Sequence, residues 1–163
     1  MTTSDTLHAS LALLFAELVD GPASDAAFML NSGDPGLLRS LEGLSAPAAS
    51  ATVAPDGASI AAHLDHVRYG LTLMNRWHDG EANPWADADW AASWRRTAVS
   101  PEQWATLRDQ LRDEVRRWHS ALGTPRDLSA TELNGVIASV AHLAYHLGAI
   151  RQIDRAIGGP KAE

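Results

Sequence analysis

Residues 58–77 read ASIAAHLDHVRYGLTLMNRW, and their apolar side chains recur at alternating steps of four and three positions. This spacing places the apolar side chains along one stripe of an α-helix and is typical of a helix at the seam of a bundle. The stripe consists of Ile60, Leu64, Val67, Leu71 and Met74. Residues 58–77 therefore predict one long core helix, which Gly80 ends.

Three further stretches carry helical periodicity, and no stretch alternates convincingly as a β-strand would. Residues 4–20 have leucines at helical spacing before a Gly-Pro pair. The other two stretches open with capping boxes, in which a serine and a residue three positions later satisfy each other's backbone amides. Ser100 with Gln103 begins the third helix, and Ser129 with Glu132 begins the fourth, which we expect to reach Ile157.

The connections between these helices differ in length. Only residues 124–128 join the third helix, which Gly123 ends, to the fourth, so we expect these two helices to be antiparallel neighbours. Residues 21–57 and 79–99 form long connections, as crossovers or walls of binding sites do. The first contains LLRSLEGL, which predicts one short helix across an end of the bundle. The sequence thus predicts an all-α, four-helix bundle with long crossover connections.

Composition limits the function classes. The chain has 163 residues, 45% of them hydrophobic, which suits a single domain over residues 1–163 with a sizeable core. Thirteen Lys and Arg against 20 Asp and Glu give a net charge of −7, which opposes binding to nucleic acid. No apolar run approaches the ~20 residues that span a bilayer, and the amino end lacks the pattern of a signal peptide. We therefore expect a soluble, cytoplasmic protein without a membrane partner.

Seven histidines and no cysteine are present, so a metal site must use imidazole and carboxylate ligands. His142 and His146 lie four positions apart on the fourth helix, about one turn, and can reach one metal ion. That helix is apolar on two sides, and both histidines belong to its second apolar face. Two imidazoles on such a face indicate a metal, and neutral imidazole accepts zinc, nickel, manganese or iron.

The helix of residues 58–77 contains two candidates for a third ligand of this metal site, His63 and His66. His63 lies about 60° from the centre of the apolar seam, on its inward half, whereas His66 lies about 120° away. His63 is therefore the better ligand, and His66 is interpreted as a flank residue or as a partner of a ligand. The remaining histidines are interpreted as residues with no role in the metal site: His8, His78 and His119.

Two segments resemble the DinB-like (YfiT-like) superfamily of metal-binding four-helix-bundle proteins. SIAAHLDHVRYGL matches that family's second-helix histidine before an aliphatic residue, and SVAHLAYHLGAIRQI matches its fourth-helix H-x-x-x-H followed by Gly and Gln. The resemblance implies the same architecture from the first helix to Ile157. Carried over residue by residue, it implies a three-histidine metal site on His63, His142 and His146.

Members of this superfamily are commonly dimers, and characterised relatives transfer low-molecular-weight thiols or isomerise small metabolites with them. The resemblance thus implies a homodimer that acts on a small molecule, with a low-molecular-weight thiol as a candidate cofactor. A metal ion that generates hydroxide from bound water or binds a thiolate predicts a metal-dependent transferase or hydrolase. Three imidazoles would leave a coordination position open for that chemistry. Two alternatives stay open: a non-catalytic metal- or ligand-binding stress-response protein, and a structural dimer whose histidines are only hydrogen-bonded.

The other residues considered for a binding or catalytic role give weaker indications. Trp90 and Trp94, four positions apart in the second long connection, either wall a ligand cavity or belong to the core, and the core interpretation is favoured. Asp65 points away from His63, and Tyr145 and Arg151 lie off the histidine face. The sequence therefore assigns no general acid or base.

Overall fold

The computed structural model of the protein describes residues 3–154 and is all-α over that range, with no β-strand. A single turn of 3-10 helix covers Ala92–Trp94 in the connection 79–99. The α-helices are α1 (Thr3–Asp20), α2 (Leu37–Glu42), α3 (Ala46–Ser50), α4 (Ile60–His78), α5 (Pro101–Leu122) and α6 (Ala130–Ile153). The prediction of an all-α chain with four long helices and a short one after residue 36 is confirmed.

The predicted helix ends agree best with the observed ends where a capping motif is present. Both capping boxes are present, with each serine side chain accepting from the backbone amide three residues later. The short helix α3 was not predicted, although Ser45 caps it and a proline lies in its first turn. Helix α6 ends at Ile153 because Asp154 is extended, and the predicted end at Ile157 lies outside the described residues.

Each of the four long helices packs against two of the others around one apolar core. Helix α4 lies against α5 and α6, and α1 lies against the same two helices from the opposite side. The prediction that the third and fourth long helices are neighbours is wrong, because α5 and α6 face each other diagonally. Five extended residues reach about 17 Å, enough to cross the diagonal between helices packed about 8–10 Å apart. A hydrogen bond of 2.9 Å from Trp118 Nε1 to Ser139 Oγ joins α5 and α6 across the core.

Contrary to the expectation that no apolar run approaches a spanning length, helix α6 is long and apolar enough to cross a membrane, judged by length and composition alone. Core helices of soluble proteins pass the same test. Eight residues of α6, including Val140 and Leu143, are buried inside the protein, so its apolar character is partly explained by packing.

The connection 79–99 is held against α4 by polar contacts. Arg96 Nε donates to Asp65 Oδ2 at 2.9 Å, and the carboxylate of Asp65 is almost fully buried. Arg68 donates to the other oxygen of the same carboxylate. The hydroxyl of Tyr69 accepts from the backbone amide of Asp89 at 3.0 Å. These contacts fix the 3-10 turn over the first two turns of α4, which are buried on every side.

Candidate metal centre

Four imidazoles from α4 and α6 form one cluster beneath the 3-10 turn. Nδ1 of His63 lies 2.8 Å from Nδ1 of His146, whose Nε2 lies 2.9 Å from Nε2 of His142. Nε2 of His66 lies 3.2 Å from the same Nε2 of His142. The helices provide this arrangement because side chains three or four positions apart lie on one helical face. His63 and His66 are such a pair on α4, and His142 and His146 are such a pair on α6.

The structure includes His66 in the cluster. One ligand atom from each of His66, His142 and His146 lies within 4.8 Å of the other two, so these three could hold one metal ion. His66 is 8% exposed, as is His63, so neither lies on a solvated flank. The interpretation of His66 as a flank residue is therefore corrected. His63, the ligand predicted from the sequence, contacts this group through His146.

Burial keeps these imidazoles neutral. It lowers the pKa of His63 and of His142, and burial together with the neighbouring histidines lowers the pKa of His66 to about 4. The same causes lower the pKa of His146, which is 1% exposed, to about 3. At neutral pH each ring therefore carries one hydrogen and one free lone pair, the form in which histidine binds a metal.

The 3-10 turn determines which nitrogen of His66 is free. Ser93 Oγ donates its only hydrogen to the backbone carbonyl of Trp90, at 2.7 Å. The same oxygen lies 2.8 Å from Nδ1 of His66, so it must accept the Nδ1 hydrogen. A neutral His66 then has its lone pair on Nε2, directed at the nitrogens of α6. Such a hydrogen bond is the usual device that orients a histidine toward a metal.

Only one hydrogen is available for the two contacts that Nε2 of His142 makes. Once His66 Nε2 is a lone pair, its 3.2 Å contact needs a hydrogen on Nε2 of His142. The same hydrogen must then be shared with a lone pair on Nε2 of His146, 2.9 Å away, in a three-centre bond that is weaker than two separate hydrogen bonds. The reverse assignment satisfies His146 and brings two lone pairs together at His66. A cation between the three nitrogens satisfies all of them at once.

The distances also suit a metal ion. Imidazole nitrogens around tetrahedral zinc, each ~2.0–2.1 Å from the ion, lie about 3.3 Å apart. Two of the three separations, 3.2 and 2.9 Å, differ from this value by a few tenths of an ångström, and the ligand atoms of His66 and His146 lie within 4.8 Å of each other. With a cation on its Nε2, His146 keeps its hydrogen on Nδ1 and donates it to Nδ1 of His63. His63 then orients His146 as Ser93 orients His66.

Tryptophans surround the cluster. The ring of Trp94 stacks on His66 with a centroid distance of 4.2 Å and lies edge-on to His63 at 5.3 Å. Trp90 lies 5.6 Å from His66, is 40% exposed and lines a cavity together with His142. The favoured interpretation of Trp90 as a core residue is therefore wrong, since its ring is a wall of that cavity.

Other candidate residues are accounted for by structural contacts. Asp65 pairs with two arginines, as described above, and Arg151 donates to the carbonyl of Pro35 at 2.7 Å. The ring of Tyr145 is 70% exposed and lies edge-on to His146. Both ring nitrogens of His8 contact backbone carbonyls at the end of α5 and in the connection after it, so His8 holds α1 to that connection.

Sequence reasoning missed Ser93 and did not name His66 as a ligand; of its two interpretations of His66, a partner of a ligand agrees with the contact to His142. A signal for His66 was present, because His63 and His66 are three positions apart and so lie on adjoining positions of one helical face. Comparison with family models, with curated proteins and with solved structures gave no match. The resemblance to the DinB-like superfamily therefore stays an expectation based on the motifs.

Proposed function

We propose that this protein binds a divalent metal ion at the histidine cluster and uses it to act on a small molecule, as a transferase or hydrolase. The observation that carries the proposal is the set of three neighbouring Nε2 atoms, for which one shared hydrogen is available, whereas a cation can bind all three. Their burial and their neutral state favour a metal over a proton at that position.

In this proposal His66, His142 and His146 hold the ion through Nε2. The set predicted from the sequence, His63, His142 and His146, differs in one ligand and stays a prediction, which variants of His63 and His66 can distinguish. Zinc, nickel, manganese and iron all accept imidazole, so the ligand type alone does not select the metal.

An ion with three imidazole ligands has an open coordination position and acts as a Lewis acid toward a substrate atom. The residues of this chain hold and shield that position. Ser93 and His63 fix the orientation of two ligands, and the ring of Trp94 packs against His63, His66 and His146. A low-molecular-weight thiol, if the reaction uses one, must enter as a substrate because the chain has no cysteine.

Elemental analysis of untagged protein, purified without a metal-affinity column, tests metal binding. We expect about one equivalent of metal per chain in the wild type and none in the double variant His142→Ala/His146→Ala. His119→Ala is the matched control, since this histidine lies on α5 away from the cluster. A wild-type protein that contains no metal and takes up none on dialysis against zinc or nickel overturns the proposal.

Turnover is tested separately on the metal-loaded protein. A screen of thiols with electrophiles, and of activated esters, should give an activity that His146→Ala abolishes while circular dichroism shows an intact fold. Metal binding without any turnover in this screen would favour the alternative function, a non-catalytic metal- or ligand-binding protein.

We also propose that the protein has the DinB-like four-helix-bundle architecture, is cytoplasmic and forms a homodimer. Support for the dimer is the outward face of α6, where Ile137 is 46% exposed and Tyr145 is 70% exposed. Sedimentation equilibrium tests the dimer, and a monomer at high protein concentration contradicts it.

A further inference from the structure

A cavity of about 310 Å³ lies beside the histidine cluster, between α4, α6 and the connection 79–99. His142 belongs both to the cluster and to the wall of this cavity. A molecule in the cavity would therefore contact one of the proposed metal ligands. The inference that follows rests on the proposed function, since it concerns what the proposed metal ion would bind.

The walls of the cavity are apolar. Among the described residues that line it, none is charged, and the polar ones are His142, the hydroxyl of Ser139 and the ring nitrogens of two tryptophans. Ser139 is already engaged with Trp118 and with the carbonyl of Val136. The apolar lining comes chiefly from Val67, Leu71, Met74, Trp85, Trp90 and Leu143. A ligand with several charged groups would find no partner for them here.

Two glycines keep the space open. A Cβ atom on Gly70 would lie 3.8 Å from Cε1 of His142 and 3.9 Å from the ring of Trp90. A Cβ atom on Gly135 would meet nothing within 4 Å, although Gly135 also lines the cavity. Gly135 lies seven positions before His142 on α6, about 10 Å along the helix axis. The cavity therefore extends about two helical turns away from the cluster.

We propose that this cavity binds the apolar, ring-containing body of a small molecule whose single polar head coordinates the metal ion. A cavity of ~150 Å³ accepts benzene, so about twice that volume suits two rings or a ring with a short chain. The faces of Trp85 and Trp90, 38% and 40% exposed, would stack on these rings. A thiol that carries several charged groups is not the occupant in this proposal.

Three hydroxamates with the same metal-binding head test the proposal on cobalt-loaded protein: acetohydroxamate, benzohydroxamate and 4-phenylbenzohydroxamate. Titration followed by the cobalt absorption bands gives each dissociation constant. We expect each added ring to tighten binding about tenfold, because it buries apolar surface in the cavity. A fourth probe, 4-carboxybenzohydroxamate, should bind more weakly than benzohydroxamate because its charge has no partner.

The matched variants are Gly135→Leu and Gly148→Leu. Both glycines lie in α6 and have open space at the position of a Cβ, but only Gly135 lines this cavity. Leucine favours helix more than glycine does, so neither change should disturb the fold. Gly135→Leu should weaken the binding of 4-phenylbenzohydroxamate at least tenfold. It should leave the binding of acetohydroxamate and the cobalt content unchanged. Gly148→Leu should alter none of these three quantities.

The possible failures are distinguishable. A protein that takes up no cobalt, zinc or nickel overturns the proposed function and this inference with it. A protein that loads cobalt but binds the three uncharged hydroxamates equally well retains the metal site and overturns the cavity proposal alone. The same conclusion holds if Gly135→Leu binds 4-phenylbenzohydroxamate as tightly as the wild type does.

Discussion

Oγ of Ser93 lies 2.8 Å from Nδ1 of His66 and accepts its hydrogen, since the serine hydrogen is donated to the carbonyl of Trp90. A residue in a connection thereby selects the ring nitrogen that a helical histidine directs toward α6. Because Ser93 is 5% exposed, water does not readily replace it as the acceptor. The geometry of the candidate metal centre depends on this turn as well as on the two helices.

Ser93→Ala is expected to weaken metal binding. The substitution removes the acceptor for the Nδ1 hydrogen of His66, so this ring loses its fixed tautomer and orientation. Loss of such a partner typically costs about 10–100-fold in metal affinity. Competition for zinc against a chromophoric chelator measures the change. Ser40→Ala is the control, because Ser40 is also buried but bonds to the carbonyl of Gly36. Equal zinc affinity in Ser93→Ala and wild type would contradict a role for this hydrogen bond.

The roles of His63 and His66 can be separated by a paired experiment. If His66 coordinates the ion and His63 only orients His146, His66→Ala should lose most of the bound zinc. His63→Ala should keep near-stoichiometric zinc, with an affinity about 10–100-fold lower. Metal content and chelator competition on both variants give the result. The reverse outcome would establish His63 as the third ligand, as predicted from the sequence.

The sequence predicted the parts of this site that follow a helical period. His142 and His146 share a face because they are one turn apart, and the two capping boxes placed the starts of α5 and α6 correctly. His66 was not predicted as a ligand because its angle was measured from the apolar seam of α4. The cluster lies to one side of that seam, where α6 and the 3-10 turn meet α4.

The conformation of the connection 79–99 could not be predicted, because no periodicity relates Ser93 or Arg96 to α4. These contacts depend on a path of the chain that only tertiary structure defines. The diagonal placement of α5 and α6 was missed for a similar reason. A connection of five residues limits how far apart two helices lie, but it does not determine which neighbours they have.

Arg96→Ala should destabilise the protein, whereas Arg95→Ala should not. Arg96 bonds to the buried carboxylate of Asp65 and holds the 3-10 turn on α4, while the side chain of Arg95 is 71% exposed. Loss of one charged hydrogen bond from a buried carboxylate costs about 1–2 kcal/mol. An exposed ion pair contributes about 0–1 kcal/mol. Urea unfolding measures both values, and equal midpoints for the two variants would refute the anchoring role of Arg96.

The hydrogen bonds of Glu17 predict how the free energy of unfolding changes at acid pH. Its carboxylate accepts the backbone amides of Phe28, Met29 and Leu30, the last two at 2.7 Å. Burial raises the pKa of Glu17, but the three amide donors outweigh burial, so the pKa lies below its ordinary value of 4.5. The folded state therefore favours the charged form. The resulting stability is complete above the unfolded pKa and is lost as the pH falls through the folded pKa.

Glu17→Gln should accordingly lower the free energy of unfolding at pH 7 by about 1–3 kcal/mol, since a neutral amide replaces a charged acceptor. The difference from wild type should shrink as the pH falls below 4.5, because the wild-type carboxyl becomes protonated. Urea unfolding at pH 7, 5, 4 and 3 measures this difference. Glu42→Gln, at an exposed position, should show no comparable loss at pH 7. A Glu17→Gln deficit that is constant from pH 7 to pH 3 would show that the carboxylate charge is not what stabilises residues 28–30.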